Sequence, residues 1–142
     1  MYLYDNNYIS ELVKRDKNPN VVAFFNYVQA NQLKGYLSII TIGEIEFGIE
    51  KLNNRNDFLQ AQRLRNWYNN NLPLIAERSL VFDEQCAKVW GNLMAKNPHN
   101  PIDKQLCATA IVFDLVLVTR NVKHIEDTGV KYINPFEFQP LS

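Results

Sequence analysis

Short apolar runs alternate with helix-length stretches along the whole of this 142-residue chain. The segments MYLYD, YLSII, SLVF, LVLVT and VKYIN are too short and too apolar for solvated loops, and they read as strands of buried type. Between them lie stretches whose apolar residues fall three and four apart, the spacing of one helix face. Ile9, Leu12 and Val13 make such a stripe in YISELVKR, and Ile42, Ile45, Ile49 and Leu52 make another in TIGEIEFGIEKL. Strands joined by helices need crossover connections, which align them in parallel, so the pattern predicts an α/β fold with a mainly parallel sheet.

Helix boundaries follow from local chemistry. Asn7 is placed to cap the first helix, and DKNPN around Pro19 ends it. VVAFFNYVQAN is a second helix, closed by Asn31, Gln32 and Gly35. Thr41 is placed to cap the helix after YLSII. FLQAQRLRNWYNN is a longer helix with a polar back, and Asp83 caps EQCAKVWGNLMAK. NPHNP is a loop, DKQLCATAIVFD a helix with Asp103 at its start, RNVKHIED a short helical turn and PFEFQPLS a tail.

The length suits one domain, residues 1–142. Apolar residues make up 46% of the chain, enough for a packed core. Fifteen basic residues balance fifteen acidic ones, so net charge favours no partner. A nucleic-acid binder relying on bulk electrostatics is usually basic, whereas one working through a metal and a local basic rim need not be. Cys86 and Cys107 lack metal spacing and read as small core residues of a reduced, cytosolic protein. No run approaches the ~18 apolar residues of a membrane span, and no basic-then-apolar leader is expected.

Ligands of parallel sheets bind beyond the carboxyl ends of the strands, where the strand order reverses. That rule sorts the acids. Asp5 ends the first strand, Glu44 lies a turn past the second, and Asp103 opens the helix leading into LVLVT. Thr119, Arg120 and Asn121 follow that last strand. Each has a blander reading: Asp5 and Asp103 as caps, Glu44 as a first-turn acid in competition with Glu46 and Glu50, Thr119 and Asn121 as partners of turn backbone, Arg120 as a solvated charge. Asp83 shows how cheap a single such acid is. Convergence of all of them on one sheet edge is what points to a site. Carboxylates brought into contact repel, and a divalent cation removes the conflict. Oxygen ligands without His or Cys pairs suit Mg²⁺ or Mn²⁺, with Asp5 and Asp103 sufficient as direct ligands and Glu44 holding a ligand water or a second ion. The chemistry such an ion supports is phosphodiester hydrolysis, leaving a 5′-phosphate and a 3′-hydroxyl when water attacks in line.

With these residues in place, the chain resembles the PIN-domain ribonucleases, specifically the VapC-type toxins of type II toxin–antitoxin pairs. The resemblance is carried by MYLYDNNYISEL, LSIITIGEIEFGIEKL and NPIDKQLCATAIVFDLVLVTRNVKHIEDTGVKYINPF, in that order and spacing. It implies a three-layer α/β/α sandwich and a Mg²⁺- or Mn²⁺-dependent endoribonuclease, usually dimeric. It also implies a VapB-type antitoxin that blocks the site and links the pair to operator DNA. By position, Asp5, Glu44 and Asp103 are the acidic triad and metal ligands, Asn7 orients Asp5, and Thr119 bonds toward the acids or the scissile phosphate. Arg120 stands beside the site, where a phosphate would lie. Asn121 stands where many PIN domains carry a fourth acid, which lowers the charge available for a second ion. His124 and Ile125 replace a frequent Asp-Phe pair, and His124 is expected to be a surface turn residue. Asn6 replaces a usual Thr. Trp67 and Tyr68 read as core or interface, and Trp90 as core. Lys14, Arg15, Lys17, Arg55, Arg63 and Arg65 read as solvated faces, those of the early helices lying where the family seats its antitoxin. Two rivals remain: a Mg²⁺-dependent phosphatase or receiver domain, which would need a second acid near Asp5, and a PIN-like binding module that has lost catalysis, for which Asn121 is the only support.

Overall fold

The computed structural model describes residues 1–140; the last two residues of the tail, Leu141 and Ser142, lie outside them. In chain order the elements are β1 (Tyr2–Tyr4), α1 (Asn6–Val13), α2 (Pro19–Ala30), β2 (Gly35–Ser38), α3 (Ile39–Asn54), α4 (Phe58–Ile75), β3 (Ser79–Leu80), α5 (Glu84–Lys96), α6 (Pro101–Val112), β4 (Val116–Val118), α7 (Val122–Ile125) and β5 (Tyr132–Ile133). The five strands form one sheet in the order β3-β2-β1-β4-β5, and every pairing is parallel. The α/β class and the parallel sheet expected from the alternation are therefore found.

Period-two alternation divides the core. Tyr4 of β1, Leu37 of β2 and Val118 of β4 face one layer, where they pack with Tyr8, Phe24 and Ile49. Leu3 and Leu117 face the other layer with Leu106, Cys107 and Ile125. Helices α1–α4 cover the first face and α5–α7 the second, so burial on both faces explains why the strands read as continuous apolar runs. Cys86 and Cys107 are buried free thiols, as expected, and burial pushes the Cys107 thiol up to about 12. Tyr68 is buried, while Trp67 and Trp90 are half-buried against the two cores.

Several boundaries differ from the sequence reading, for one reason: helices start at once where strands stop. The cap of α1 is Asp5, which accepts the Asn6 N–H at 2.6 Å; Asn7 lies inside the helix. The cap of α3 is Ser38, accepting from Ile40, so Ile39 and Ile40 are helical and Thr41 is a buried helix residue. Ile42 falls outside the buried stripe of Ile45, Ile49 and Leu52. Pro19 does not end α1; it is the first residue of α2, where its missing N–H costs nothing, behind an Asn18 cap. Gly35 belongs to β2, and α4 runs on through Pro73 to Ile75. Asn100, in left-handed backbone, precedes α6, so Asp103 is its third residue. The tail is partly ordered: residues Pro135–Glu137 form a 3₁₀ turn, Phe138 packs edge-on to Phe24 at 5.3 Å, and Asn20 donates to the Phe136 carbonyl at 2.7 Å.

Gly35 is required by packing. A Cβ there would stand 2.1 Å from the ring of Tyr4, which is itself fully buried. Gly35→Ala therefore drives a core ring out of place, and the expected cost is about 1–3 kcal/mol. The check is a urea titration, in which the midpoint falls while the slope is retained.

Candidate metal and phosphate site

The strand order steps from β1 to β2 on one side and from β1 to β4 on the other, so the reversal lies between β1 and β4. Asp5 and Thr119 are the residues that leave these two strands at their carboxyl ends. The Asp5 N–H donates to the Val118 carbonyl at 2.9 Å, which carries the β1–β4 ladder one residue further. Asp5 is 5% exposed. Its Oδ1 accepts from the Asn6 backbone, and its Oδ2 accepts from the Thr119 hydroxyl at 2.7 Å and from Asn7 Nδ2 at 3.2 Å. Capping and site roles are thus not alternatives: one oxygen caps α1 while the other faces Thr119.

Thr119 and Asn7 are fixed in turn. Thr119 Oγ1 accepts from Asn7 Nδ2 at 3.2 Å and from the Asn121 N–H at 3.1 Å, and Asn7 Oδ1 accepts from the Arg120 N–H at 3.2 Å. Burial raises the Asp5 pKa above the carboxylate range. The hydrogen bonds from Thr119 and the Asn6 backbone oppose that shift, the charge of Asp103 adds to it, and Asn7 again opposes it.

Asp103 reaches the site from the first turn of α6. Asn121 Nδ2 donates to its Oδ1 at 3.4 Å, and His124 Nδ1 lies 2.7 Å from its Oδ2. An ionised carboxylate only accepts, so this contact calls for the Nδ1–H form of the ring. His124 lies on an exposed turn, as expected, and its side chain also engages Asp103. No local sequence signal reports a partner 21 residues away.

Glu44 projects from the second turn of α3. Burial, followed by the charges of Asp5 and Asp103, pushes its carboxyl up to about 7. Its Oε1 is buried with no hydrogen-bond partner; among the described residues the only other such side-chain atom is Thr41 Oγ1, one turn earlier on the same helix. Glu46 and Glu50, the competitors in sequence, point elsewhere and pair with Arg65.

Asp5, Glu44 and Asp103 line one open cavity of about 400 Å³, together with Asn7, Arg120 and Asn121. Sequence reasoning did not assign four further lining residues to the site: Ser10, Glu11, Lys14 and Phe136. Glu11 is buried, pairs with Lys14 at 2.9 Å and accepts the Asn18 N–H at 2.9 Å. Its place three residues after Tyr8, on the buried face of α1, was the available signal. The Arg120 guanidinium lies 4.5 Å from the centre of the Phe136 ring. The cavity therefore has an acidic floor and, at Arg120 and Lys14, a cationic edge.

A divalent cation fits this donor set. The acceptors are all hard oxygens, one is an orphan, and burial first, then the charges of Asp5 and Asp103, raises Glu44. Among the described residues no group of three or more His, Cys, Asp or Glu side chains is placed to hold a metal ion between them.

The PIN domain family model matches residues 2–130. Plasmid stability protein StbB of Pseudomonas syringae pv. tomato is 32% identical over 145 residues, covering 96% of this chain and 99% of that protein. The VapC ribonuclease Y4jK of Sinorhizobium fredii is 30% identical over 147 residues, and toxin FitB of Neisseria gonorrhoeae 32% over 142, with the same coverage. The crystal structure of FitAcB from Neisseria gonorrhoeae superposes with a TM-score of 0.83 at 28% identity, covering 97% of this chain and all of that one. FitAB bound to an IR36 DNA fragment superposes with a TM-score of 0.76 at 27% identity, covering both chains fully. By fold, family match and relatives alike, the chain belongs to the PIN-domain family.

Proposed function

We propose that the chain is a metal-dependent endoribonuclease and the toxin of a type II toxin–antitoxin pair. The observation that carries the reading is the convergence of Asp5, Glu44 and Asp103 on one cavity at the β1–β4 reversal, with a buried Glu44 oxygen left unpaired. Asp5, Glu44 and Asp103 are the residues that would hold Mg²⁺ or Mn²⁺. Such an ion, when bound, polarises a phosphoryl oxygen and makes water a nucleophile near neutral pH.

The protein's own side chains do the rest. Thr119 and Asn7 donate to the Asp5 Oδ2, fixing the carboxylate and opposing the upward pKa shift that burial causes. His124 and Asn121 clamp both oxygens of Asp103. Arg120, levelled against Phe136, and Lys14, held by Glu11, supply positive charge where the phosphate enters. The site works on a buried-carboxylate, oxygen-rich floor, so it selects a phosphodiester brought in with a cation rather than a free anion.

The relatives include a toxin and a VapC ribonuclease, and the solved neighbours include a toxin–antitoxin complex and three complexes on DNA. By that likeness the partner of this chain is a VapB-type antitoxin, operator DNA is reached only through it, and the toxin works as a homodimer in the cytoplasm. A groove of about 670 Å³ between α2 and α4, lined by Phe25, Trp67 and Leu74 with Arg15 and Lys17 at its edge, suits an apolar, acidic antitoxin segment. No helix among the described residues is long and apolar enough to cross a membrane.

Three outcomes test this reading. Asp5→Asn retains a good capping side chain, so the fold persists while the charge is lost. Cleavage of an RNA pool with Mn²⁺ falls to background, with an unchanged circular dichroism spectrum; an unfolded variant would return Asp5 to a purely capping role. His124→Ala frees one Asp103 oxygen and lowers Mn²⁺ affinity by roughly 10-fold, the scale on which ligand-orienting partners act, as read by calorimetry. The third concerns pH in chelated protein. Glu44 has a folded pKa of about 7 against an ordinary 4.5, so the folded state binds the extra proton. Unfolding free energy therefore falls as pH rises from about 4.5 to about 7. Thermal melts across that window show the loss, Glu44→Gln flattens it, and excess Mn²⁺ reverses it.

A further inference from the structure

We infer that a groove on the outer side of α3 is the track for the single-stranded RNA flanking the scissile phosphate. The inference rests on the nuclease reading and extends it to how the substrate is held. A second cavity, of about 930 Å³, opens beside the acidic one and shares Asn6 and Glu44 with it, so the two are continuous. Along it stand Phe47, Lys51 and Arg55, each four residues from the next. That spacing puts the first two on one helix face, rising ~6 Å per step, and brings Arg55 in just past the end of α3.

The charges in this groove are free. On the same helix, Glu46 and Glu50 are both taken by Arg65, which grips Glu46 through two contacts of 2.8 Å and Glu50 through one of 3.3 Å. No ion pair among the described residues includes Lys51 or Arg55. In a chain of zero net charge, these two cations form a local positive strip that leads away from a negative floor. Phe47 is 66% exposed, an unusual place for a Phe side chain, and Lys51 Nζ lies 5.6 Å from its ring centre. An exposed ring beside unpaired cations is the combination that holds single-stranded nucleic acid: bases stack on the ring and phosphates follow the charges, without sequence readout. A neutral apolar peptide would leave both cations uncompensated.

The test uses the full-length chain with Asp5→Asn to silence cleavage, and measures anisotropy of a labelled single-stranded RNA oligomer over a salt series. Each phosphate contact contributes about 0.7 to the slope of log affinity against log salt. The double variant Lys51→Ala, Arg55→Ala should flatten that slope by roughly 1.4, two contacts' worth. Phe47→Ala should weaken binding about 5- to 150-fold with the slope unchanged, as loss of one stacked base does. Lys88→Ala, on the far layer, should change neither. All three groove positions are on the surface, so melting temperatures should match the parent's.

An unaltered slope and affinity in the groove variants, from a wild-type chain that does cleave RNA with Mn²⁺, would overturn the track and leave the nuclease standing. A wild-type chain that neither binds nor cleaves RNA would overturn both. Groove variants that keep RNA binding but lose the antitoxin, or that turn a dimer into a monomer, would reassign the face to a protein partner or to a second copy.

Discussion

Three carboxylates meet at one end of a parallel sheet, and most of the surrounding structure answers the repulsion that this creates. Asp5 is 5% exposed, and burial pushes its pKa up. Three donors, from the Asn6 backbone, Thr119 and Asn7, oppose that tendency. Asp103 is held by Asn121 and His124. Glu44 has no such escort, and the whole conflict is expressed there: a buried oxygen without a partner and a pKa near 7. The protein supports two of the acids and leaves the third for something positive.

The parallel sheet makes this arrangement cheap to build. Asp5 and Thr119 are in place because β1 and β4 pair in register and end together, with Tyr4 opposite Val118. The same backbone step that ends β1 lets Asp5 cap α1, so one residue sets the helix direction and presents an oxygen to the site. Asn7, inside α1, reaches back to Asp5 and forward to Thr119 and Arg120. Fold and site are joined through that one asparagine, which touches three residues just past the ends of two strands.

Much of this was legible in sequence, and the rest was hidden for identifiable reasons. Strand ends follow from apolar runs, so Asp5 and Thr119 were placed correctly, and the parallel order brought Glu44 and Asp103 to the same edge. Caps were misplaced by two or three residues, at Asn7 for Asp5 and at Thr41 for Ser38, because no linker separates these strands from their helices. Apolar periodicity cannot show where YLSII changes from strand to helix, since every residue but Ser38 is apolar in both readings. His124 escaped because its meaning lies in a distant partner. Glu11 escaped because an acid on a helix reads as solvent-facing unless its position relative to Tyr8 is weighed.

Asn121 illustrates how a substitution in a charged site is absorbed. An acid there would add a fourth negative group beside Asp103 and sharpen the repulsion already evident at Glu44. The amide instead donates to Asp103 Oδ1, while its own backbone N–H is tied to Thr119. It trades a possible ligand for a positioning contact, and His124 supplies the matching contact on the other oxygen. The result is a floor with three acids rather than four, each of the two Asp residues held by hydrogen-bonding partners. Under the proposed reading, three acids carry less negative charge for a second ion than four would, and Arg120, Lys14 and the strip along α3 are the positive groups nearest the floor for a polyanionic substrate.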